Sequence, residues 1–114
     1  MKDTPVQNFI NGKFVDSATQ KSLEVISPLD GNLLSKVPMS SAKDLDDAVK
    51  AAKAAFPAWS KTPIKERVQV FFRYKTLLER DLKELAALCS EENGKTYNES
   101  VAEVEKSIEL TEFA

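Results

Sequence analysis

The chain has 114 residues, 42% hydrophobic and 30% charged, with a formal net charge of -2; this is the mix of an ordinary globular domain, with no basic surface to draw in nucleic acid or an acidic membrane. One cysteine, Cys89, and no histidine exclude a disulfide framework, a Cys/His zinc site and a Ser-His-Asp or Cys-His pair within the chain. Met1-Lys2-Asp3-Thr4-Pro5 has no apolar run behind it, and no stretch nears the roughly 20 apolar residues of a membrane helix, so a cytoplasmic protein is expected.

The first third predicts strands and turns. Phe9-Ile10 and Phe14-Val15 flank Asn11-Gly12, a dipeptide suited to a two-residue hairpin because both positions tolerate positive φ. Leu23–Ile26 is a second strand, closed by Ser27-Pro28, and Leu33–Val37 returns after a turn at Asp30-Gly31. Such short hairpins bury too little to stand alone.

From Ser40 the pattern becomes helical. Ser41 and Asp44 resemble a capping box, and Leu45, Ala48, Val49, Ala52 and Phe56 follow on one face until Pro57, which is expected to end the helix. Thr62 is the expected N-cap of the next helix, with Pro63 in its first position. Its stripe is Ile64, Val68, Phe71 and Leu78, widened by Phe72 and Leu77. A further stripe, Leu82, Leu85, Ala86 and Cys89, continues after a kink or short break at Asp81 and closes at Asn93-Gly94. Thr96 and Glu99 form a T-x-x-E capping box, followed by Tyr97, Val101, Val104 and Ile108 at helical spacing. The final Phe113-Ala114 carries no C-cap, which suggests a truncated helix. The expectation is an α+β chain: residues 1–39 form β-hairpins and residues 40–114 form three or four amphipathic helices.

Several residues invite a chemical reading and are better explained structurally. Cys89 shares a stripe with Leu82 and Leu85, the usual setting of a packed thiol rather than a nucleophile. Trp59, after Phe56-Pro57, reads as a packing anchor. Glu99, Glu103, Glu105, Glu109 and Glu112 are dispersed around a helix with Lys106, as on a solvated face. Lys95-Thr96 imitates the end of a phosphate loop, but Gly12, Gly31 and Gly94 are far apart and no G-x-G-x-x-G occurs. Lys95 is therefore expected as a cation at a helix end.

The order of these pieces resembles the amino terminus of the aldehyde dehydrogenase superfamily over essentially the whole chain. The resemblance rests on Phe9-Ile10-Asn11-Gly12-Lys13-Phe14-Val15, on Ile26-Ser27-Pro28-Leu29-Asp30-Gly31, on Ala51–Trp59 with its Phe-Pro-x-Trp ending, and on Arg67 with Glu91-Glu92-Asn93-Gly94-Lys95-Thr96. Phe72-Arg73-Tyr74-Lys75, Asn93-Gly94-Lys95-Thr96 and the run from Val104 to Ala114 look most like the CoA-acylating methylmalonate-semialdehyde dehydrogenases, which carry arginine where Lys106 stands here; succinate-semialdehyde and lactaldehyde dehydrogenases share much of the same pattern.

The resemblance implies a parent of α/β fold. It would be a homo-oligomer oxidising a small acid semialdehyde with NAD or NADP, with CoA as a candidate co-substrate. It implies that residues 40–114 belong to the parent's cofactor-binding domain. The cysteine nucleophile, oxyanion donors and nucleotide-binding unit then lie beyond this chain, which would be inactive alone. No catalytic, cofactor-binding or metal residue is expected within it. The one substrate-binding candidate is Lys106, on a helix that lines the tunnel entrance in the family, where an ammonium could pair with a substrate carboxylate. A salt link to Glu103 or Glu109 is the competing reading. The competing function is a stand-alone helical interaction module.

Overall fold

The computed structural model describes residues 6–114; Met1–Pro5, and the reading of them as no secretory signal, lie outside the described residues. The chain divides into two compact units. One comprises the strands before residue 27 with residues 31–61, and the other comprises Ser27–Asp30 with Thr62–Ala114.

In the first unit, β1 (Asn8–Ile10) and β2 (Lys13–Val15) pair antiparallel with Phe9 opposite Phe14. Asn11 at φ 53° and Gly12 at φ 75° make the turn, the double positive φ that this dipeptide permits. The rings of Phe9 and Phe14 meet edge to face at 5.0 Å. Strands β3 (Ser22–Ile26) and β4 (Leu33–Pro38) form a second antiparallel pair, with an irregularity between Val25 and Ile26. Helix α1 runs from Ala42 to Lys61.

Helix α1 passes through Pro57 instead of ending there. A helix-interior proline forfeits one backbone bond and crowds the preceding turn, at about 3 kcal/mol, but its fixed φ is helical. Pro57 sits one turn from the end, where the chain absorbs this, and its carbonyl accepts a bond from the Ser60 hydroxyl at 3.2 Å.

In the second unit, α2 (Ile64–Asn93) and α3 (Tyr97–Phe113) form a hairpin. Its antiparallel sense follows from Lys75, which reaches Glu112 near the open end, and Lys95, which reaches Glu103 near the turn. Helix α2 is a single element of 30 residues, so the break expected at Asp81 is absent and the chain has three helices among its described residues. Asp81 stays helical because its carboxylate is engaged outward, accepting two bonds from Arg80 at 2.7 Å each. The helix also starts one residue later than expected. Pro63, at ψ 143°, is the N-cap, and its carbonyl accepts from Glu66 N and Arg67 N. Gly94 closes α2 at φ 70°, and its N–H donates to Ser90 O. A Cβ there would also lie 2.9 Å from Pro28 Cγ, so glycine is required twice over.

The expected stripes form helices, but most of their apolar side chains stay uncovered. Among the described residues the buried apolar side chains are Ala86 and Val104 alone. Leu45, Val49 and Phe56 of α1 are exposed, and Trp59 packs less than an anchor would, at 44% exposure. In α3 the covered positions are Ser100 and Val104 with Val101, Ile108 and Thr111 partly covered, while Tyr97 is exposed. The close approach of the two helices is made by small residues.

Candidate functional site

Two helix starts use the same local grammar in different surroundings. At α1, the Asp44 carboxylate accepts from Ser41 N at 2.7 Å and Asp44 N donates to Ser41 Oγ at 3.3 Å, which completes the expected box. Asp44 is also buried, and accepts from Ser17 Oγ at 2.8 Å and Ala18 N at 3.1 Å. Backbone bonds from Ser41 and Ala18, then the Ser17 and Ser41 hydroxyls, hold its carboxyl far below the usual carboxylate range. At α3, Thr96 and Glu99 form the reciprocal box with Thr96 N on Glu99 Oε2 at 3.0 Å. The Thr96 hydroxyl, then its N–H, pull the exposed Glu99 carboxyl down.

The turn between α2 and α3 gathers polar groups that the sequence did not bring together. Lys95 pairs with Glu103 at 2.5 Å, rather than resting on the carbonyl end of α2. The Lys95 hydrogen bond and charge lower the Glu103 carboxyl, with a smaller contribution from a bond with the Cys89 side chain. Cys89 is half-buried and also receives Asn93 Nδ2 at 3.6 Å. Its stripe with Leu82 and Leu85 suggested apolar packing, whereas the thiol is half-buried inside a hydrogen-bonded helix end. No group of His, Cys, Asp and Glu able to hold a metal occurs among the described residues.

Lys106 lies on the exposed side of α3, with its Nζ 2.7 Å from Glu109 Oε2. The salt link was one of the partners foreseen for it. Leu110 and Phe113 follow at i+4 and i+7 and are 59% and 83% exposed. The lysine thus heads an apolar stripe that the sequence reading passed over, because Val101, Val104 and Ile108 accounted for the helix. The spacing of residues 106, 110 and 113 was the available signal.

Seats for phosphate at helix starts are taken by the protein's own carboxylates at α1 and α3. The three glycines lie in a hairpin turn, a loop and a helix C-cap, not in one phosphate-cradling loop. No described helix is long and apolar enough to cross a membrane.

Residues 14–114 match the family model described as the aldehyde dehydrogenase family. The chain is 46% identical over 109 residues to malonate-semialdehyde dehydrogenase 2 of Geobacillus kaustophilus, covering 96% of this chain and 22% of that one. The malonate-semialdehyde dehydrogenase of Lacticaseibacillus casei gives the same identity and coverage. A crystal structure assigned as a methylmalonate-semialdehyde dehydrogenase of Sinorhizobium meliloti, complexed with NAD, superposes with a TM-score of 0.93 at 33% identity, over 99% of this chain and 23% of that one. An NADP complex of the NADP-dependent glyceraldehyde-3-phosphate dehydrogenase of Bacillus halodurans gives 0.88 at 27% identity, over 94% and 22%. The chain spans under a quarter of the length of these relatives. With the hairpins, capped helices and turn all in the family's order, the chain belongs to the aldehyde dehydrogenase family.

Proposed function

We propose that this chain serves as the amino-terminal part of an NAD(P)-dependent dehydrogenase acting on a small acid semialdehyde of the malonate or methylmalonate type, with CoA as the candidate acyl acceptor. The observation that carries the reading is 46% identity across 96% of the chain to malonate-semialdehyde dehydrogenases. The nucleophile, oxyanion donors and dinucleotide cradle are assigned to polypeptide this chain does not span, since Cys89 is committed to a helix-end network and the N-termini of α1 and α3 to internal carboxylates. Residues 40–114 are assigned to the helical part of the enzyme's cofactor-binding domain. The enzyme is assigned to the cytoplasm as a homo-oligomer.

Lys106 is proposed as the group that reads the substrate's carboxylate. Its side chain is exposed, shares a helix face by spacing with Leu110 and Phe113, and is held by an i, i+3 pair. Such exposed pairs are worth little, so a substrate carboxylate can take the place of Glu109 at small cost. The test is steady-state kinetics of Lys106→Met in the full-length enzyme. We expect kcat/KM for an acid semialdehyde to fall roughly tenfold to a hundredfold while a neutral aldehyde of similar size is spared. Equal losses on both substrates, or none, would make Lys106 a surface residue.

A further inference from the structure

The starts of α1 and α3 and the end of α2 find hydrogen-bond partners within the chain, while much of its apolar surface does not. On α2, Val70, Tyr74 and Leu77 recur at i, i+4 and i+7 and are 43%, 51% and 45% exposed. This stripe is offset from the side on which Lys75 meets α3 and Ala86 is buried. On α3, Leu110 and Phe113 are exposed on the side away from buried Ser100 and Val104. Single exposed apolar residues are ordinary, but runs of them on successive turns mark a surface meant to be covered.

We infer that these two stripes are preformed docking faces, and that their common occupant is the part of an aldehyde dehydrogenase that this chain does not span, accepted even as a separate polypeptide. The inference rests on the family reading given under Proposed function. The chain spans 22% of its relatives' length, so most of their polypeptide lies outside it and supplies the complementary apolar surface. Docking in trans is favoured by how much is already ordered. The capping box at Thr96/Glu99, the Gly94 C-cap and the Lys95–Glu103 pair fix the hairpin without help from the occupant. Association then costs little further backbone entropy, and Val, Leu and Phe have few rotamers to lose.

The test is co-expression of this chain, untagged, with a tagged malonate-semialdehyde dehydrogenase relative from which the 109 matched residues are deleted. A one-to-one complex should co-elute on size exclusion. Leu77→Asp and Leu110→Asp, both at exposed positions and checked for unchanged helicity by circular dichroism, should each cut the recovered complex by about tenfold or more. Elution of the chain by itself, its recovery only as self-associated copies, or full recovery with both variants would overturn the proposal. A complex that forms but does not oxidise acid semialdehydes would leave the docking standing and overturn only the substrate reading.

Discussion

Asp44 and Glu99 occupy the same position in the same motif, three residues after a hydroxyl-bearing N-cap, yet they do different work. Glu99 is exposed and serves its own helix alone. Asp44 is buried, and besides starting α1 it holds Ser17 and Ala18, residues 27 and 26 positions earlier in the chain. One is a local cap and the other joins a loop to a helix. A capping box therefore specifies where a helix begins, while its burial decides whether it also fixes tertiary structure.

The sharpest break in that comparison is Asp44→Ala. It strands two backbone N–H groups and two hydroxyls, and should lower the melting temperature by on the order of 10 °C. Thermal unfolding followed by circular dichroism measures it. Gly94→Ala comes next. A positive φ costs a non-glycine residue about 1–2 kcal/mol, and the added Cβ must also displace Pro28. Pairing it with Pro28→Ala in a double-mutant cycle separates the two causes, and a zero coupling energy would mean that Pro28 does not press on Gly94. Thr96→Ala should cost about 1 kcal/mol, the usual worth of an N-cap side chain.

Acid sharpens the same contrast. The carboxyls of Asp44, Glu99 and Glu103 are all held below their usual values. Stability from a depressed carboxyl is fully present above its unfolded value, about 4, and is lost as pH falls further. Melting temperature should therefore drop between about pH 5 and pH 2. The slope should flatten more in Asp44→Asn than in Glu99→Gln. The smallest effect is expected at Ser100, whose buried hydroxyl finds no partner. Ser100→Ala should be neutral or stabilising by up to about 1 kcal/mol, since it removes a polar group that pays desolvation without return.

The same division separates what could be read in the sequence from what could not. The Asn11-Gly12 turn, both capping boxes and the Gly94 C-cap are rules of near neighbours, and each was legible. The run through Pro57 and the unbroken passage of Asp81 were not, because whether a helix tolerates a breaker depends on its end and on outward partners such as Arg80. The Ser17–Asp44 bond spans the chain at a distance that no periodicity reports. For the candidate site, the i+3 partner of Lys106 was legible. Its company with Leu110 and Phe113 was obscured, because the stripe facing α2 already explained the helix.

The stripes were legible as helices but not as buried faces, and on this the account turns. If the uncovered faces are what separates this chain from a working dehydrogenase, the chain alone should hold no nicotinamide dinucleotide. Calorimetric titration of NAD and NADP into the purified chain tests this most directly. No saturable heat is expected at concentrations up to about 1 mM, the equivalent of ~4 kcal/mol. Saturable binding tighter than that would place a dinucleotide seat within these residues and contradict it.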